Sequence, residues 1–287
     1  MAAESWTIRR LLTWTEDFLR KKGIESARLE SQILLAHALG CPKIQLYVRF
    51  DEEPSEQVRT AYREIIKKRS EGMPVAYLVG FREFYSLEFK VTPDVLIPRP
   101  ETETLVLEAL NAIKPLATPR FLDLGTGSGC IAISLAKQRK TTLVTAVDQS
   151  AAALAIAREN AQKHGVSEQI TFLEGDLFEP VGPDTFDLIV SNPPYIPTAD
   201  IATLEADVRD HEPMKALDGG GDGLDFYRRI AAQAADYLNP GGFLFLEIGS
   251  TQQQEVQTLL TQAQLTLGPS FKDRGGLPRV VSARRPV

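Results

Sequence analysis

Cysteine and histidine are scarce in this 287-residue chain: two cysteines, Cys41 and Cys130, and three histidines, His37, His164 and His211. Two cysteines cannot build a disulfide framework or a cysteine-based metal site. The histidines are far apart and show no metal-ligand spacing, so each reads as a helix or loop residue. Long hydrophobic runs are also missing, since none approaches the ~20 apolar residues of a membrane span. Residues 1–10 contain no apolar core of the kind a secretory signal needs. No internal repeat or low-complexity tract is visible. Positive charge is not in excess either: the formal net charge is −6. Residues 1–85 carry 14 Lys+Arg against 12 Asp+Glu, and the remainder 18 against 26. An acidic larger part argues against broad binding to a phosphate backbone, which needs clustered Lys and Arg. These absences point to a cytoplasmic chain with no membrane partner and no direct nucleic-acid partner.

What is present is 43% hydrophobic and 24% charged, a soluble, globular composition. The length suits about two domains. Ser5 is positioned to cap a first helix, along which Ile8, Leu11, Leu12, Phe18 and Leu19 recur at helical spacing until Gly23. Ser26 opens a second helix ending at Gly40, a short one spans about 44–48, and Ser55 caps another running to about Arg69. Val58, Tyr62 and Ile65 point inward on that last helix. Lys67-Lys68-Arg69 reads as its solvated, dipole-favoured end. Residues 1–71 thus form a small all-helical domain. Gly and Pro punctuate residues 72–80, and Phe84–Val91 alternates like a hairpin strand. Residues 72–97 are therefore expected to connect the domains and to carry a small antiparallel pair.

Residues 98–287 alternate strand and helix. Strands are expected at 121–124, 142–147, 170–173, 186–190 and 242–248. Helices are expected at 131–137, 151–164, 224–238 and 255–263. The pattern implies an α/β domain with a mostly parallel, doubly wound sheet. Leu277–Ala283 is expected as a final antiparallel strand at its edge.

Ser191-Asn192-Pro193-Pro194-Tyr195 follows the apolar strand Phe186–Val190. Two prolines fix φ and force extended geometry on the residue before each, so the loop is stiff. A stiff loop can present the Asn192 amide, a backbone carbonyl and the Tyr195 ring together, which suits a planar amide or amino group. Asp123-Leu124-Gly125-Thr126-Gly127-Ser128-Gly129 joins the first strand of this domain to its helix. Glycines there allow close backbone approach, and the helix start offers free N–H groups. A dinucleotide fingerprint would place glycine at position 130, which is Cys130, and no Gly-Lys-Ser/Thr follows. A ligand without pyrophosphate is therefore expected, with Asp123 facing an ammonium group. Asp148, at the end of the next strand, is set to accept two ribose hydroxyls. Asp176 suits an adenine amino group, with Leu177 and Phe178 covering the ring. All these loops converge on one sheet edge. Pro100, Glu101 and Glu103 suit a helix start, and Arg99 and Glu101 are expected to face a ligand.

The glycine loop, Asp148 and Asn192-Pro193-Pro194-Tyr195 together resemble the Rossmann-like methyltransferases that use S-adenosylmethionine. Gly72–Tyr77, Leu96–Glu103, Ala216–Gly220 and Gly223–Tyr227 narrow the resemblance to the release-factor glutamine methyltransferases, the PrmC/HemK family. It covers nearly the whole chain. It implies methyl transfer from S-adenosylmethionine to the glutamine side-chain amide in the Gly-Gly-Gln motif of class 1 peptide-chain release factors. Asp123, Gly125, Thr126, Gly127, Ser128, Gly129, Asp148, Asp176, Leu177 and Asn192 would bind the cofactor. Asn192, Pro193, Pro194 and Tyr195 would hold the reacting amide, with Arg99 and Glu101 nearby. Leu177 stands where some relatives carry Trp. A DNA adenine-N6 methyltransferase, which would flip its base against the same loop, is the alternative.

Overall fold

The computed structural model describes residues 5–287. They form two compact units: residues up to Gly80 with Ala206–His211, and Phe81–Glu205 with Glu212–Val287. The first holds α1 (Ile8–Lys21), α2 (Ala27–Leu39), α3 (Lys43–Val48), α4 (Glu56–Ser70), α5 (Val75–Val79) and the short α9 (Ala206–His211). Ile8, Leu19, Leu34, Leu35, Leu46 and Tyr62 lie at the centre of its core.

Local chemistry departs from expectation at several points here. Thr7 caps α1, its hydroxyl accepting from the Arg10 N–H at 3.3 Å, while the Ser5 hydroxyl donates to Glu53 at 2.6 Å. In α4 it is Ile66, one residue beyond Ile65, that is fully buried. Arg69 does not end α4 in solvent as Lys67 and Lys68 do. It is buried, and its Nε and Nη2 donate to the Glu30 carboxylate at 2.6 and 3.3 Å. The stretch expected to connect the domains and carry the antiparallel pair also contains α5, with Pro74 at its N-cap and Gly80, at φ 82°, at its C-cap. Proline before and glycine after is the ordinary punctuation of a helix, but five residues are too few for a readable period.

In the second unit, β1 (Phe81–Phe84) and β2 (Leu87–Lys90) form an antiparallel hairpin. Residues 84–91 are thus not one strand. Tyr85 and Ser86 take φ values of 49° and 60°, the primed turn that matches strand twist, without the usual Asn-Gly signal.

The main sheet runs β5 (Ile170–Glu174), β4 (Leu143–Asp148), β3 (Arg120–Leu124), β6 (Phe186–Ser191), β7 (Leu238–Glu247), β9 (Pro278–Arg284), β8 (Thr266–Lys272). The first five are parallel; β9 and β8 are antiparallel. The final strand is therefore not the edge. β8 pairs outside it, and Gly268-Pro269, where the pairing register shifts, makes that strand read as a loop. Proline is tolerated there because an edge strand leaves one row of N–H groups unpaired.

Helices cover both faces. Along β3, Phe121 joins the layer under α6 (Glu103–Ala112), α7 (Cys130–Gln138) and α8 (Ala151–His164). Leu122 and Leu124 join the layer under α10 (Asp225–Tyr237) and α11 (Gln253–Gln262). The same alternation puts Phe245 on the α6 side and Leu244 and Leu246 on the α10 side. Among the described residues no helix is long and apolar enough to cross a membrane.

Removing one partner of a buried ion pair leaves the other charge uncompensated. Glu30→Gln should destabilise the helical unit by about 3 kcal/mol. Both tryptophans, Trp6 and Trp14, fall within it, so their fluorescence during urea unfolding isolates its transition. An unshifted midpoint would mean that the pair contributes nothing.

Candidate active site

The carboxyl ends of β3, β4, β5 and β6 open onto a cavity of about 240 Å³. The strand order reverses between β3 and β6, the place where open α/β sheets leave a crevice. Gly125 and Gly127 line it from the loop after β3, Asp148 from the end of β4, and Asp176 and Leu177 from the loop after β5. Asn192, Pro193 and Pro194 line it from the loop after β6.

The glycine loop folds onto β4 through two N–H groups, those of Gly125 and Thr126, both donating to the Val147 carbonyl at 2.9 Å. Asp148 sits just beyond. Its Oδ2 accepts from the Gly127 N–H at 2.8 Å and its Oδ1 from the Ser150 N–H at 2.9 Å. Burial raises its pKa, and these backbone bonds pull it back down. Each oxygen keeps acceptor capacity toward the cavity. Ser150 performs the helix capping, accepting from the Ala153 N–H at 3.2 Å, which frees Asp148 from that task.

The rest of the loop braces rather than lines. Asp123 is fully buried and does not face the cavity as expected. Its Oδ2 accepts from the Thr126 hydroxyl at 2.7 Å and the Ala132 N–H at 3.2 Å, and its Oδ1 has no partner. Burial pushes this carboxyl up to about 7. Thr126 and Ser128 are likewise buried behind the loop. Gly129, at φ 81°, lets α7 close on α8, for a Cβ there would lie 2.8 Å from Ile133 and 3.2 Å from Ala157.

Leu177 lines the cavity in a left-handed backbone conformation, φ 50°, which is costly for a side chain of this kind. Asp176 is engaged by Arg229 at 2.6 Å through one oxygen. Phe178 does not reach the cavity. It is buried and stacked on Tyr237 at 4.5 Å between ring centroids. Phe226 and Leu96, from segments that carry the family resemblance, line it as well, together with Asp94 and Val95, which the sequence offered no reason to single out. Those two come from a loop whose own local pattern is unremarkable.

The Asn192 Nδ2 donates to the Thr102 hydroxyl at 3.3 Å. Its amide oxygen is thereby left at the other end, free to accept. Tyr195 lies on the opposite side of the same loop and lines a second recess with Gly249, Gln252 and Arg279. Its ring is thus outside the first cavity. Burial pushes its hydroxyl up to about 12. The Tyr195 carbonyl accepts from Gln252 at 2.9 Å. The Ala216–Gly220 segment holds the loop from below: the Ile196 N–H donates to the Leu217 carbonyl at 3.0 Å and the Gly219 N–H to the Ile196 carbonyl at 2.9 Å. A Cβ on Gly219 would meet the Tyr195 backbone at 2.8 Å. Arg99 and Glu101 line neither concavity. The Arg99 guanidinium pairs with the buried Glu212 carboxylate, which also accepts from the Ile97 N–H.

The site therefore offers a carboxylate fit for a diol, apolar walls for a flat ring, and a rigid amide beside a second opening. Comparison with known proteins bears on what uses it. The PrmC N-terminal domain matches residues 10–80 and the methyltransferase small domain matches residues 101–208. A release factor glutamine methyltransferase of Geobacter sulfurreducens is 48% identical over 281 residues, 98% of each chain. One from Rhodopirellula baltica is 46% identical over 289 residues, 98% of this chain and 97% of its own. Among solved structures, a methyltransferase from Pyrococcus furiosus superposes with a TM-score of 0.53 at 18% identity, covering 78% of this chain and 98% of that one. The hMettl16 catalytic domain gives 0.57 at 17% identity, covering 77% and 81%. At such identity these two speak for the Rossmann-like fold alone.

A carboxyl held near 7 when folded and near 4 when unfolded keeps a proton that the unfolded chain has released. Folding stability should then fall as pH rises from about 4 to about 7 and remain lower above. Asp123→Asn should lessen that fall, as read from urea midpoints across the pH range. An identical slope in the variant would exonerate Asp123.

Proposed function

The chain belongs to the release factor glutamine methyltransferase family, and from that premise we propose how its site performs the family's reaction. The enzyme methylates the side-chain amide nitrogen of a glutamine in peptide-chain release factors. The target is the glutamine of the Gly-Gly-Gln motif of class 1 factors, met in the cytoplasm. S-adenosylmethionine, when bound, supplies a methyl carbon made electrophilic by the adjoining sulfonium. Gly125, Gly127, Asp148, Asp176 and Leu177 would hold it: the cavity they line combines a half-buried carboxylate, glycine backbone and an apolar wall.

One observation carries the assignment of roles. The Asn192 amide is anchored by its nitrogen to Thr102, in a loop with a concavity on either side. The Asn192 Oδ1 and the Pro193 carbonyl accept the two protons of the glutamine amide. These acceptors orient its nitrogen and favour the positive charge that develops there. An amide nitrogen is a poor nucleophile because its lone pair is delocalised, so aiming matters more than deprotonation. The proton leaves afterwards, and no strong base is needed. Pro193 and Pro194 keep the acceptors fixed. Tyr195, which walls the second recess, packs on the glutamine amide as it reaches the loop. Arg99, paired with Glu212, holds the Ile97–Thr102 segment. Glu101, next to Thr102, adds a negative charge beside the site.

DNA adenine methylation is not favoured: the full-length relatives act on release factors, and the larger part of the chain is acidic.

The test is incubation with labelled S-adenosylmethionine and a purified class 1 release factor, followed by peptide mass analysis to place the label. The glutamine of Gly-Gly-Gln should carry it, and label elsewhere would refute the reading. Asn192→Ala should lower turnover on the order of 10²-fold with unchanged cofactor affinity; turnover near wild type would remove Asn192 from this role. Asp148→Ala should weaken cofactor binding at least roughly tenfold, since a charged acceptor is lost, and unaltered affinity in calorimetry would discard the ribose assignment.

A further inference from the structure

Glu247 ends β7 and is buried to 1% exposure, with its Oε2 unpartnered. An uncompensated buried carboxylate is costly and calls for a reason. Ser191 pairs with Leu246 across β6 and β7, so Asn192 and Glu247 follow one another off adjacent parallel strands. By strand alternation Glu247 shares the α6 face with Phe245, where Thr102 precedes α6. Thr102 is itself buried and accepts from the Asn192 Nδ2 at 3.3 Å. Thr102 is also the side chain that most favours the charged form of the Glu247 carboxylate.

We propose that Glu247 is a positioning residue for methyl transfer, acting through the Thr102 hydroxyl to fix which end of the Asn192 amide faces the substrate. A threonine hydroxyl has one proton and can accept at its oxygen. When that proton goes to a carboxylate, the oxygen is left only to accept, so Asn192 must turn its nitrogen toward Thr102 and its oxygen outward. A neutral acid at position 247 can donate instead. The Thr102 proton is then free for the Asn192 oxygen, and the amide can face the substrate with the wrong end.

The charges around Glu247 come from several elements. Arg279 on β9 and Arg99 favour its carboxylate, and Glu101 opposes it. Tyr195, the Tyr227 phenol of α10 and Cys130 at the start of α7 also feel its charge. Burial outweighs the favourable partners and pushes this carboxyl up to about 7. Turnover should therefore decline as pH drops through that value, as the acid form accumulates.

The proposal rests on the reading of Asn192 as amide acceptor, and the experiment separates the two. Full-length Glu247→Gln, Thr102→Val, Thr102→Ser, Asn192→Ala and the Glu247→Gln/Asn192→Ala double variant are assayed with release factor across pH 6–9. Glu247→Gln should lower kcat roughly tenfold to hundredfold and lose the acid limb, with KM for release factor and calorimetric cofactor affinity unchanged. Thr102→Val should match it, and Thr102→Ser should restore the wild-type rate. The double variant should be no slower than Asn192→Ala alone. A Glu247→Gln enzyme with wild-type kcat and acid limb, or a double variant slowed by the product of both factors, overturns the proposal. If Glu247→Gln does not fold, the acid limb of Thr102→Val decides: its loss supports the proposal, and a wild-type acid limb without the Thr102 hydroxyl overturns it. Wild-type turnover by Asn192→Ala would instead overturn the reading of Asn192.

Discussion

The hydrogen bond between Asn192 and Thr102 joins segments 90 residues apart, and the proposed reading of the site depends on it. A primary amide is nearly symmetric in shape but opposite in chemistry at its two ends. Without a fixed partner it offers a substrate donor and acceptor in turn. The prolines hold the backbone but cannot settle which way the Asn192 side chain faces. That falls to a residue placed by another part of the chain, at the entry to α6, itself held by the contacts of Arg99 and Ile97 with Glu212. The parallel pairing of β6 with β7, and of β3 with β6, then delivers the loop, the glycine turn and Glu247 to the same end of the sheet.

The construction is not cheap in stability. Asp123 and Glu247 are both wholly buried carboxyls with an oxygen left without a partner, and Leu177 holds a left-handed backbone. Such departures from good local chemistry gather at functional sites because the surrounding fold enforces them. Here the two apolar layers that sandwich the sheet supply the enforcing framework.

Much of this was legible in the residues. Period-two and period-3.6 patterns located the parallel strands and their helices within a few residues. The stiff loop and Asp148 announced themselves by chemistry at strand ends. Illegible features were those decided by a partner distant in sequence. Arg69 looks like a solvated helix end until Glu30 is seen beside it. Asp123 looks like a ligand group until strand alternation turns it inward. That Tyr195 lines the second recess could not be read either, because Gly219 and Gln252 hold its backbone from afar. The β8 edge strand was hidden by its own Gly-Pro, and the β1–β2 turn lacked any glycine to mark it.

The left-handed Leu177 has a consequence for redesign. Its penalty belongs to the backbone, so most non-glycine side chains at 177 would bear a similar one, while their bulk differs widely. Width at that wall of the cavity can thus be varied almost independently of loop shape. With the cofactor placed as proposed, a smaller residue there opens space for donor analogues carrying an enlarged base, giving an orthogonal enzyme–reagent pair while leaving the loop after β6 untouched.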